Sequence, residues 1–199
     1  MNVTELATNF TYEQLASALY HKGLNDGYPK VTDKTKWREP VMANKLGHVA
    51  HEKISAGAGK DEYGSDAYDP VNEVYAEYKT KAINDRELRN LLQLPKRGGG
   101  TFAPLRVKGV YNGAYKESAL EAYQDIEHYF GVFYREECVL IVKPRTEDVI
   151  RQLRENNNKR KVGATTNGNS AEVNLGEPAT YEVAYRKDEF FDSYTKCMV

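Results

Sequence analysis

Cysteine is scarce in this chain: two in 199 residues, Cys138 and Cys197. That excludes a disulfide framework, and no Cys/His spacing of the structural-zinc type is present. No stretch approaches the ~20 apolar residues of a membrane-crossing helix, so no membrane partner is expected. Met1-Asn2-Val3-Thr4-Glu5 has neither the basic nor the apolar region of a secretory leader, and a cytoplasmic location is the expectation. There is no internal repeat and no composition break that would mark a second domain. A hydrophobic fraction of 40% with 29% charged residues fits one globular domain, 1–199, large enough to bury a core.

Net charge is also nearly absent, at −1, but its distribution is uneven. Residues 1–78 carry net −4, residues 79–116 net +7, residues 117–150 net −5, residues 151–162 net +4 and residues 163–199 net −3. A basic block inside a neutral chain is either a solvated surface or the footprint of a phosphate-backbone binder. Tyrosine is abundant, at fifteen, and suits surfaces that are apolar on one edge and wet on the other.

Periodicity and punctuation divide the chain into elements. Thr11 to His21 predicts a helix opened by a Thr11/Gln14 capping box. Val41 to Ser55 predicts a second, with Pro40 near its start. Asn84 to Leu94 predicts a short helix, followed by the loop Pro95-Lys96-Arg97-Gly98-Gly99-Gly100. Leu105 to Tyr111 alternates like a strand, and Tyr115 to Tyr129 predicts a helix with Leu120, Tyr123, Ile126 and Phe130 on one side. Gly131–Tyr134 and Cys138–Val142 read as central strands, with Cys138 in the core. Thr146 caps a helix over Glu147 to Arg154, Asn156 to Ser170 reads as a polar loop, and Tyr181 to Tyr185 as an edge strand. The expected fold is α/β, a central mixed β-sheet flanked by helices.

The chemistry concentrates in residues 66–79. Asp69-Pro70-Val71-Asn72 reads as a turn, and Val74 to Ile83 as a strand. Side chains two apart on a strand share a face, so Glu77 and Lys79 emerge together. A four-residue hairpin that pairs Tyr68 with Glu73 sets Asp66 opposite Tyr75 and onto that same face. Two acids and a lysine converging in this way suit a divalent metal and an activated water beside a phosphodiester. An acid-x-Lys pair is also common on solvated strand faces. Asp69 rivals Asp66 for the first acidic position, and Glu52 and Glu62 are candidate auxiliary acids. His48 and His51 stand at helical i, i+3 spacing, but with no third ligand in view they read as structural or surface residues, as do His21 and His128.

The segment Gly64-Ser65-Asp66-Ala67-Tyr68-Asp69, followed by Glu77-Tyr78-Lys79 and by Val107-Lys108-Gly109, resembles Type II restriction endonucleases of the PD-(D/E)xK nuclease superfamily. It is most similar to the PvuII branch, over about Gly64 to Asp148. The hairpin is one residue longer than in that branch, and Asp66 is not joined to a proline. Tyr111-Asn112-Gly113-Ala114-Tyr115 replaces a histidine-rich recognition run. The resemblance implies a restriction-endonuclease-like core over 61–154. Residues 1–60 would be a helical, dimer-forming part, and 155–199 loop and edge strands. It implies Asp66, Glu77 and the Tyr78 carbonyl as Mg²⁺ ligands, and Asp66, Glu77 and Lys79 as the catalytic set. Duplex DNA would be the partner of a homodimer. Lys81, Lys96, Arg97 and Lys108 would meet phosphates, and Tyr111, Asn112, Tyr115 and Lys116 would lie along the DNA. Asparagine and lysine are able to pair with adenine and guanine edges. The competing readings are a structure-specific or repair nuclease of the same fold and a DNA-binding protein without catalysis.

Overall fold

A computed structural model describes residues 10, 11, 14, 15, 18, 37–50, 65–94, 103–135, 137–161 and 169–196. Five α-helices are described: α1 (Arg38–Leu46), α2 (Asp85–Leu91), α3 (Glu117–Gln124), α4 (Thr146–Lys161) and α5 (Asp188–Lys196). The eight described strands are β1 (Val49–Ala50), β2 (Ala67–Asp69), β3 (Val74–Ile83), β4 (Arg106–Val110), β5 (Glu127–Tyr134), β6 (Glu137–Pro144), β7 (Ser170–Asn174) and β8 (Tyr181–Arg186). Six of them form a mixed sheet in the order β1-β2-β3-β5-β6-β8. Among the described strands only β3 and β5 pair in parallel; their crossover carries α2, β4 and α3. β4 and β7 pair separately as an antiparallel ribbon. The fold is therefore mixed α/β about a central mixed sheet, as the pattern predicts.

Both faces of the sheet are covered. On one, Val41, Met42 and Ala43 of α1 pack on Ala76, Tyr78, Phe133, Cys138 and Ile141. On the other, Phe130 and Val132 meet Val107 and Tyr111, Leu120 and Tyr123 of α3, and Val149 and Leu153 of α4. β5 is buried along nearly its whole length, as a central strand flanked on both faces must be.

Local chemistry explains most boundaries. Thr11 and Gln14 form the expected reciprocal cap, Thr11 N to Gln14 Oε1 at 2.8 Å and Gln14 N to Thr11 Oγ1 at 3.3 Å. The rest of the Thr11–His21 helix lies mostly outside the described residues. α1 stops at Leu46, short of the expected Ser55, because Gly47 turns left-handed at φ 73° and its N–H closes on Asn44 O. α2 is opened by an Asn84/Glu87 capping box. α3 ends at Gln124, and Glu127–Tyr129, expected at the end of that helix, instead opens β5. α4 runs on to Lys161 through the first half of the expected Asn156–Ser170 loop. Asn157 Nδ2 donates to Ala114 O there, and Arg151 pairs with Glu155. β7 and α5 had no counterpart among the expected elements. No described helix is long and apolar enough to cross a membrane.

Candidate active site

The β2–β3 hairpin sets the geometry. Its register is Asp69↔Val74, Tyr68↔Tyr75 and Ala67↔Ala76, so the loop is Pro70 to Glu73 rather than Asp69 to Asn72. Glu73 takes the left-handed conformation that closes it, at φ 57°. The correction is a slip of two residues. A slip of two preserves the side-chain face, whereas a slip of one would invert it. The pairing ends at Ala67↔Ala76, with Tyr75 taken by Tyr68; beyond it the Asp66 N–H donates to Ala76 O at 2.9 Å, and parity puts Asp66 on the Glu77 face.

Asp66 and Glu77 are both buried, at 3% and 4% exposure. Asp66 Oδ2 accepts the backbone N–H of Tyr78 at 2.7 Å, which ties the carboxylate to β3. Lys79 Nζ donates to Glu77 Oε1. Its ammonium also lies 4.6 Å from the centroid of the Tyr111 ring. Burial holds the Tyr111 phenol well above its ordinary pKa, with Glu77 and then Asp66 adding to the effect. That ring therefore senses both carboxylates and the ammonium. Burying two acids together costs several kcal/mol unless a cation compensates, and Lys79 supplies that cation for Glu77.

Asp69 is the other aspartate of the hairpin and is equally buried. It shares the face of Ala67, where α1 packs. Its Oδ1 accepts from Val71 N at 2.8 Å and Asn72 N at 3.2 Å, and its Oδ2 accepts from Asn72 Nδ2 at 2.7 Å. Burial would raise its pKa, but the Asn72 and Val71 donors outweigh burial and hold it below the carboxylate range. His48 Nε2 approaches the same carboxylate at 3.5 Å, and His48 Nδ1 lies 2.8 Å from Tyr78 Oη. Asp69 is thus a turn-forming acid. Asp66 is the one beside Glu77 and Lys79.

His128 is paired with Glu77 in the parallel β3–β5 ladder and is fully buried. Its Nε2 lies 2.9 Å from Tyr123 O. Burial lowers its pKa to about 4, so the ring is neutral near pH 7. His48 is likewise lowered by burial, against the opposing pull of Asp69.

The other expected residues divide by exposure. Lys108, Asn112, Tyr115 and Lys116 are exposed and succeed one another from β4 to the start of α3. Lys116 leans on the Tyr115 ring at 5.8 Å. Lys81 is engaged, with Nζ 2.9 Å from Glu87 and 3.0 Å from Arg106 O. Tyr111 is the correction: its side chain has no exposed surface and lies in the core under Lys79, not along a DNA-facing edge. The signal was present in the sequence. Leu105, Val107, Gly109 and Tyr111 share a parity, and all four are buried. Gly109, which falls in the alternating Leu105–Tyr111 strand, is required by a close approach that alternation does not show. A Cβ there would overlap the Lys79 stem, 2.8 Å from Cβ and 2.7 Å from Cδ. Lys96, Arg97, Glu52, Glu62, His21, His51 and Cys197 lie outside the described residues.

Two buried carboxylates offering hard oxygen donors fit Mg²⁺, which keeps several waters and accepts phosphate oxygens as further ligands. Among the described residues, no group of three or more His, Cys, Asp and Glu side chains is gathered into a metal cage. No protein-family model and no curated protein matches the chain.

Proposed function

We propose that this protein is a sequence-specific endonuclease of double-stranded DNA, a Type II restriction enzyme with a PD-(D/E)xK core that acts as a homodimer. The observation that carries the reading is the convergence of Asp66, Glu77 and Lys79 on one buried spot, beside a run of exposed Lys108, Asn112, Tyr115 and Lys116. Asp66 and Glu77 would hold the cation, and Mg²⁺ bound there would supply polarisation of the scissile phosphate and stabilisation of the charge that builds on it. Asp66 is itself held by the Tyr78 N–H, so its carboxylate is oriented before any ligand arrives. Lys79 brings a positive charge to the attacking water and the developing phosphorane oxygens. His128, neutral and buried, adds no competing positive charge behind Glu77.

The exposed run carries the DNA contact. Lys108 meets phosphate, while Asn112, with a donor and an acceptor, and Lys116, with donors alone, read base edges. Two-fold symmetry of a palindromic duplex matches two copies of one active site, one for each strand.

Incubation of the protein with long duplex DNA and Mg²⁺ tests the reading. Discrete fragments support it. A smear points to a nonspecific or repair nuclease of the same core, and intact DNA that is nonetheless retarded points to a binder without catalysis.

A further inference from the structure

We propose that Tyr111, seated by the gap at Gly109, is a positioning residue that keeps the Lys79 ammonium in place when Glu77 turns to a metal ion. The inference rests on the nuclease reading of the Asp66/Glu77/Lys79 site. Lys79 is held in three ways. Its stem crosses from β3 onto β4 at Gly109, where any side chain would collide with its Cβ, Cγ and Cδ. Its ammonium bonds Glu77 Oε1. The same ammonium stands 4.6 Å from the Tyr111 ring centroid, within the range in which a cation is attracted to an aromatic face.

The first two holds differ in what a divalent cation does to them. The Gly109 contact is steric and is indifferent to charge. The Glu77 contact is electrostatic, and a cation on that carboxylate competes with it directly. The ring is neutral and is not a ligand, so it remains after Glu77 is taken. Because the Lys79 side chain is only 14% exposed, little water screens that attraction. Edge-to-face packing on Tyr123 at 5.1 Å and on His128 at 5.4 Å fixes the ring itself. Its hydroxyl is buried and, among the described residues, has no hydrogen-bond partner. The aromatic face is therefore what the site uses, and phenylalanine would serve as well.

The test follows the lysine directly. Lysines are reductively dimethylated with ¹³C-formaldehyde and a borohydride, which preserves their charge, and Lys79→Arg identifies the Lys79 methyl signal. That signal is expected upfield of solvent lysines through the ring current. It should remain upfield when Ca²⁺ is added, be unchanged in Tyr111→Phe, and return to the solvent position in Tyr111→Leu. In single-turnover cleavage, Tyr111→Phe should match the parent. Tyr111→Leu should be about tenfold slower, with DNA affinity unchanged.

A parent signal at the solvent position overturns the proposal, as does loss of the upfield shift on adding Ca²⁺. Tyr111→Phe as slow as Tyr111→Leu also overturns it, because the hydroxyl would then be the active part. Should Tyr111→Leu fail to fold, the parent Ca²⁺ titration and Tyr111→Phe still decide. A ring-shifted Lys79 in a protein that cuts no DNA would sink the nuclease reading alone. An active nuclease whose Lys79 signal ignores the ring would sink this inference alone.

Discussion

Asp66 and Asp69 are three residues apart in one hairpin, are equally buried, and have opposite occupations. Around Asp69 the chain spends its donors locally: Val71 N, Asn72 N and Asn72 Nδ2 all point at its two oxygens. His48, Tyr78 and Tyr129 complete an aromatic floor beneath α1. Around Asp66 the surroundings are long-range. Glu77 and Lys79 come from the partner strand, Tyr111 from just beyond β4 and His128 from β5. An acid saturated by its own turn stabilises the turn. An acid tied to the partner strand by the Tyr78 N–H and set on the face of a second acid is the one that the proposed chemistry would use.

The largest effect expected from breaking this contrast is on cleavage. Lys79→Ala and Asp66→Asn should each lower the single-turnover rate by about 10³-fold or more, while retaining specific binding in Ca²⁺. Parallel loss of binding and of the folding transition would make these residues structural, and the two faces would no longer differ.

The next effect is on stability against pH. His128 binds its proton at about 4 when folded and near the ordinary histidine value when unfolded. The unfolded chain therefore takes up the proton first as pH falls. Stability is fully present above about pH 6.5 and is lost progressively down to about pH 4, by roughly 3 kcal/mol. Denaturant melts at a series of pH values check this. A flat profile for the parent, or one that persists in His128→Phe, would exclude His128 as its source.

Asp69→Ala should produce the reverse of Asp66→Asn. It strips the turn of three accepted hydrogen bonds, at a cost of about 2 kcal/mol in unfolding free energy. Below the melting temperature it should still cut DNA at close to the parent rate. Loss of cleavage in a folded Asp69→Ala protein would return Asp69 to the catalytic set.

The smallest effect belongs to the exposed run. Asn112→Ala should narrow the gap between cognate and one-base-changed duplexes by on the order of 1 kcal/mol. Lys108→Ala should weaken both alike and flatten the salt dependence. Paired titrations at several salt concentrations distinguish the two. Equal losses on both duplexes for Asn112→Ala would move base reading to other residues.

What was legible in the sequence, and what was not, follows the range of the interactions. Alternation in Val74–Ile83, the short helix after Asn84 and the apolar run of β6 were readable because each is satisfied within its own element or by simple burial. Leu120, Tyr123, Ile126 and Phe130 are spaced as a helix face, yet the chain leaves the helix at Gln124. From Glu127 it joins β3, a strand some fifty residues earlier, and that pairing outweighs the local spacing. The Asn-rich stretch after Glu155 reads as loop by composition, but it continues α4 because Asn157 reaches back to Ala114.

By itself the sequence determined that Asp66, Glu77 and Lys79 share a face, since a period of two survives a two-residue error in the turn. It also determined that basic charge gathers after Lys79. Only the tertiary structure decided the register that moves Asp66 off Tyr75, and that Tyr111 lies under Lys79 instead of facing outward. Those outcomes depend on hairpin register and on β4 crossing β3 at Gly109. The first is set by how the turn closes at Glu73, and the second by a contact between segments far apart in the chain, which no local preference encodes.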